Sequence, residues 1–210
     1  MKTDDLIAAL AADTRPGPGV GQRLAWTLPL AMIPTVVAFA LFWGVRPDIA
    51  NAMTSLAALK PLVPLVLAGL AGALALTLSR PEARGGRAAT ALWVVALALV
   101  VAFIAALAAG GLSGLSAALA TPSLITCLTS IPVLALPLFG AVLWALSAGA
   151  PHRPALAGAL GGLVAGSLAA ALYALFCDQD AALFVLPAYG TAILIVALAG
   201  SLIGARTLAW

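Results

Sequence analysis

Six long apolar runs, separated by short polar stretches, set the pattern of this chain. They cover residues 24–43, 61–79, 88–109, 124–147, 155–176 and about 183–205. Each holds about 20 residues, enough for an α-helix to cross a hydrocarbon core roughly 30 Å thick. No acidic or basic residue lies in the middle of any run. The pattern predicts an all-α, polytopic membrane protein, a bundle of six transmembrane helices behind a polar N-terminal segment, 1–23.

Composition agrees. Of 210 residues, 64% are hydrophobic and 8% charged, too few charges to cover the core of a soluble domain of this length. The ten Lys and Arg are spread through short connections, so the net charge of +3 marks orientation and not a nucleic-acid surface. With the N-terminus inside, Lys2, Arg15, Arg23, Arg80, Arg84, Arg87, Arg153 and Arg206 lie on the inner side. Only Arg46 and Lys60 lie outside. Eight against two predicts that both termini face the cytoplasm of a bacterial inner membrane.

Residues 1–23 are polar and contain Pro16-Gly17-Pro18-Gly19, so they are read as something other than a cleavable signal peptide. Thr3 can cap a short helix with Asp4 and Asp5 in its positive first turn. Leu6, Ile7 and Leu10 then share one face, and residues 13–19 end the helix in a linker. Two readings stand: a frayed tail, or a partner-binding helix that orders in a complex.

Within the runs, Gly158, Gly162, Gly166 and Ala170 recur every four residues and predict a smooth ridge for close helix packing. Gly200 with Gly204, and Gly69 with Ala73, repeat the device. Pro29, Pro34, Pro132 and Pro137 fall inside runs, where each removes a backbone hydrogen bond. Trp26 and Trp43 sit at the two ends of the first run, as interfacial anchors do. Residues 110–123, rich in Gly, Ser and Ala, are expected to be a connection.

The chemistry for catalysis is sparse. The one histidine, His152, sits in a turn between two prolines, and no zinc-protease, serine-hydrolase, P-loop or Cys-x-x-Cys motif occurs. The expectation is that the chain is not an enzyme. A six-span transporter remains a competing reading, as does an inert structural subunit, although the polar residues available for a pathway are few: Thr77, Thr90, Thr191 and Ser201.

The two cysteines remain. The fourth and fifth runs are of nearly equal length and joined by the polar turn 149–154, so the chain returns to the level at which it started. Cys127 and Cys177 then lie at one height, at the outer surface, which in a bacterial inner membrane is the oxidising periplasm. They are either packing residues or a static staple, or else a responsive thiol pair. In the second reading, oxidation or capture of a soft metal ion ties two helix ends together. Asp178 and Asp180 could then add oxygen ligands.

Several strings together resemble the NrsF-type anti-sigma factor family. They are Met1-Lys-Thr-Asp-Asp-Leu-Ile7, Cys127-Leu-Thr-Ser-Ile-Pro132 with Pro137, and Gly149-Ala-Pro-His-Arg-Pro-Ala-Leu-Ala-Gly158 through Gly162 and Gly166. Tyr173-Ala-Leu-Phe-Cys177, Phe184, Tyr189, Gly200, Gly204 and Leu208-Ala-Trp210 complete the set. The resemblance spans the chain. It implies a six-span inner-membrane protein that holds an extracytoplasmic-function sigma factor inactive, without contacting nucleic acid itself. Lys2, Thr3, Asp4, Asp5, Leu6 and Ile7, with Leu10 as an added apolar anchor, would contact that partner. Cys127 and Cys177 would sense heavy metals or oxidants. No resident cofactor is implied beyond transient soft-metal binding at the cysteines.

Overall fold

A computed structural model describes residues 3, 5, 7, 8, 17–80 and 86–209. Seven α-helices follow one another from residue 17 onward: α1 (Val20–Phe42), the short α2 (Ile49–Met53), α3 (Leu59–Leu78), α4 (Gly86–Leu119), α5 (Ser123–Leu146), α6 (Pro154–Tyr173) and α7 (Ala182–Thr207). Six of them are long and apolar enough to cross a membrane. Except at the C-terminal end of α4, their ends fall within a few residues of the apolar runs, because the same Pro, Gly and charged residues that interrupt the hydropathy also interrupt the helix. Pro154, for instance, opens α6 at the first helical position, where its missing N–H leaves no partner wanting.

One connection differs from expectation. Residues 110–123 are mostly helical: α4 continues to Leu119, and within it only Gly111 leaves helical geometry, at φ 67°. Ala and Leu keep 112–119 helical, and a glycine supplies the left-handed residue at the break, where a side chain would be strained. Pro29, Pro34, Pro132 and Pro137 are carried inside continuous helices.

Helix α6 is the central post. It packs against α3, α5 and α7, while α1 lies on α5 and α4 lies on the outside against α3 and α7. Small residues let the backbones approach. A methyl group built on Gly204 would stand 2.6 Å from Cα of Gly158, and one on Gly166 would stand 3.2 Å from Cβ of Val196. Gly158, Gly162 and Gly200 are equally filled by the backbone of the facing helix. This is the predicted ridge, and it fixes α6 against α7.

Gly69 and Ala73 do not repeat it. Both are exposed, and nothing lies within 4 Å of a methyl group built on Gly69. α3 packs instead through Ala68, Ala71, Leu74 and Ala75, a quarter-turn away. No residue of α4 is buried, and Trp93, Leu97, Leu30, Leu41 and Leu202 stand outward. In water such a surface would aggregate; in a bilayer it meets acyl chains.

Candidate functional site: a buried thiol pair under a cationic clamp

Cys127 lies in the second turn of α5 and Cys177 in the segment that follows α6. Both are free thiols, 0% and 3% exposed. They do more than share a level. The two thiols are neighbours that influence each other electrostatically.

The way α6 ends places Cys177 there. After Tyr173 the chain makes one tighter turn, in which the N–H groups of Phe176 and Cys177 both reach the carbonyl of Tyr173, at 3.0 and 3.1 Å. A helix C-terminus leaves its last carbonyls without partners. Here cations from elsewhere in the chain supply them. The backbone N–H of Arg46 donates to Leu175 O at 2.9 Å. The Lys60 ammonium donates to Cys177 O at 2.6 Å, and Arg46 Nη1 reaches the same oxygen at 3.2 Å. Positive charge at this end of a helix is also favoured by the helix dipole.

Asp180 ties the two cations together. Its carboxylate accepts from Lys60 at 3.1 Å and from Arg46 at 2.9 Å. Arg46 grips Asp48 with two further bonds of 2.7 Å, and this holds the Asp48 carboxyl below its ordinary range. The exposed Arg46–Asp48 half is screened by solvent. The Lys60 side chain, 4% exposed, is not.

Aromatic residues close the site from the membrane side. Tyr173 and Tyr189 are buried, with ring centres 6.1 Å apart. The Tyr189 hydroxyl points toward Cys177 yet makes no hydrogen bond of ordinary geometry. Trp43 Nε1 donates to Ser130 Oγ at 2.9 Å, fastening the end of α1 to α5 one turn beyond Cys127. The Cys177 thiol is held below its usual range by the neighbouring Cys127 thiol and, after it, by the charge of Lys60. Burial opposes both. A thiol so placed is a nucleophile facing a second sulfur, the arrangement from which a disulfide forms.

Among the described residues, no group of three or more His, Cys, Asp or Glu converges as a metal site. Asp180 is taken up by Arg46 and Lys60, and exposed Asp178 accepts only from Gln179, at 3.3 Å. The geometry is thus a two-sulfur pair and not a four-ligand cluster. Thr77 and Thr90 bond carbonyls of their own helices, at 2.7 and 3.3 Å, and Thr191 is exposed. Of the residues assigned to the partner, Thr3, Asp5 and Ile7 are helical and exposed; Lys2, Asp4, Leu6 and Leu10 lie outside the described residues.

Lys60 and Arg46 are the members of this cluster that sequence reading passed over. They entered only as orientation markers. The signal was present: they are the only two cations assigned to the outer side, where Asp178 and Asp180 also fall.

Six apolar helices around a glycine-packed post, with one buried thiol pair, describe a membrane-embedded bundle. Residues 10–210 match the family described as negative regulator of sigma F, NrsF, and the chain belongs to that family. It is similar along its whole length, and theirs, to the anti-sigma-F factor NrsF of Caulobacter vibrioides, at 36% identity, and to the probable anti-sigma-F factor NrsF of Azospira oryzae, at 34%. No solved structure matches.

Proposed function

We propose that this protein is a membrane-bound anti-sigma factor. Its N-terminal segment holds an extracytoplasmic-function sigma factor in the cytoplasm, and oxidation of Cys127 and Cys177 in the periplasm releases it. The observation that carries this reading is the meeting of the chain's only two cysteines, buried and face to face, at one end of the bundle. The excess of Lys and Arg on the other side supports a cytoplasmic N-terminus.

The chemistry is a two-electron oxidation. With hydrogen peroxide, two thiols and one peroxide molecule give one disulfide and two waters. Closing the bond draws the start of α5 onto the end of α6. A packed bundle responds to such a pull by switching between discrete arrangements rather than by stretching.

The far end of α5 shows where the switch would be felt. The Arg23 guanidinium lies over the Trp144 ring at 4.9 Å, and Thr27 Oγ1 donates to Ala141 O at 3.4 Å. The root of α1 therefore rests on the end of α5 opposite Cys127. Trp144→Ala is expected to weaken this joint and to cut peroxide-induced release at least about threefold, with binding in the absence of peroxide retained. Sigma-factor release from the full-length protein measures it.

Binding itself is tested by pull-down. Sigma factors offer basic helical surfaces, so Asp4 and Asp5 supply charge and Leu6, Ile7 and Leu10 supply anchors. Asp4→Ala combined with Leu6→Ala is expected to lower affinity at least about tenfold, since truncating anchor residues costs upward of roughly 1 kcal/mol each. Unchanged capture by the double variant would count against the assignment of the binding segment.

A further inference from the structure

We propose that Lys60 is the positioning residue of the thiol pair: its buried ammonium, seated on the carbonyl of Cys177 by Asp180 and Arg46, sets how readily Cys127 and Cys177 pass between dithiol and disulfide. This rests on the reading of the two cysteines as a responsive pair.

A buried ammonium is costly to desolvate unless it is matched by acceptors. Lys60 is matched by two, the Cys177 carbonyl at 2.6 Å and Asp180 at 3.1 Å, and its Nζ stands 5.8 Å from the centre of the Tyr189 ring. Every element around Cys177 contributes a group. α5 brings Cys127, α6 brings Tyr173, and α7 brings Tyr189. The 177–181 segment brings Asp178 and Asp180, the connection after α1 brings Arg46 and Asp48, and α3 brings Lys60. Arg46 is shared among Asp48, Asp180 and the Cys177 carbonyl, with half of its charge turned to the exposed Asp48. Lys60, 4% exposed, is the more deeply buried of the two cations and sits on the backbone of Cys177 itself, where charge is least screened.

The consequence has a sign. A cation beside a thiolate stabilises the reduced pair, because the disulfide carries no charge for it to meet. Stabilising the reduced form makes a pair more oxidising and harder to close. Lys60 therefore holds the pair as dithiol until the oxidant is strong. Its loss lets the disulfide form at a milder poise. With glutathione disulfide, the Cys177 thiolate attacks one sulfur and one glutathione leaves. Cys127 then attacks the mixed disulfide at Cys177, and the second glutathione leaves. Two thiol protons pass to the two departing glutathiones.

The test is a glutathione redox titration of the full-length chain in lipid nanodiscs, with the disulfide quantified by mass spectrometry after alkylation. Lys60→Met is expected to shift the equilibrium about three- to tenfold toward disulfide, tenfold being about 30 mV for this two-electron couple. Lys60→Arg, which keeps the charge, returns at least half of that shift. Asp180→Asn, which removes the carboxylate opposing the ammonium, moves the equilibrium toward dithiol, and it decides the matter should Lys60→Met not fold by tryptophan-emission melting. A Lys60→Met value within twofold of wild type overturns the inference, as does a Lys60→Arg value equal to that of Lys60→Met or an Asp180→Asn shift toward disulfide. The titration needs no sigma factor. If Lys60 proves silent while cysteine variants still block release, only this inference falls. If cysteine variants release normally, the sensor reading falls and the titration still reports on Lys60.

Discussion

A chain carrying Cys127→Ser and Cys177→Ser is expected to retain its sigma factor under a peroxide dose expected to strip the wild-type chain. The expected difference in release is the largest of any substitution, because the covalent event cannot occur without both sulfurs. Each single variant should behave as the double, since one thiol cannot form the internal bond. Cys127 is fully buried, so a serine hydroxyl there needs a partner and costs about 1–3 kcal/mol if it finds none. Cys127→Ala serves as the control for that cost. Variants that bind the sigma factor at rest and release it normally with peroxide would contradict a role for the thiols. Co-purification of the sigma factor with the full-length protein, before and after oxidant, is the measurement.

The second large effect concerns stability. Gly158→Val is expected to destabilise the bundle by about 3 kcal/mol or more, at the upper end of overpacking costs. Even a single methyl group at this position meets Cα of Gly204 at 2.7 Å, and the obstruction is backbone on the facing helix. The side chain cannot be accommodated by a rotamer change; α6 and α7 must separate, and α6 contacts three other spans. Gly69→Val, at an exposed glycine with open space around it, should change the melting temperature little. Equal losses at the two sites would show that the close approach of α6 and α7 is not what holds the bundle.

That contrast also shows what the sequence can and cannot tell. Gly69–Ala73 and Gly158–Gly162 have the same four-residue spacing of small side chains. Only the second is covered by a neighbouring helix, and no local signal distinguishes a small-residue face toward lipid from one toward protein. The six spans were legible because hydropathy over about 20 residues is a property of the segment alone. The 110–123 stretch was not, because its glycines and serines suggested a loop while its alanines and leucines were sufficient for helix, broken at Gly111 alone.

The thiol pair was half legible. Equal run lengths on either side of the 149–154 turn placed Cys127 and Cys177 at one level. That they face each other depends on how α6 ends, on the turn that sends the Cys177 N–H back to Tyr173 O. Lys60 and Arg46 were hidden for a related reason. Their work is to satisfy the carbonyls of a helix more than 100 residues further along the chain, and a long-range cap leaves no periodicity to read. His152, conspicuous as the one histidine, lies exposed in a turn and takes no part in the site.

The account depends on the two sulfurs lying across the membrane from the segment that grips the sigma factor. Asp178 is exposed beside Cys177, so it can report on sidedness without disturbing the buried pair. An Asp178→Cys chain in a Cys127→Ser and Cys177→Ser background should react with a membrane-impermeant maleimide in intact spheroplasts, with no gain on lysis. Labelling that appears only after the membrane is broken would place the thiol site in the cytoplasm and contradict the account.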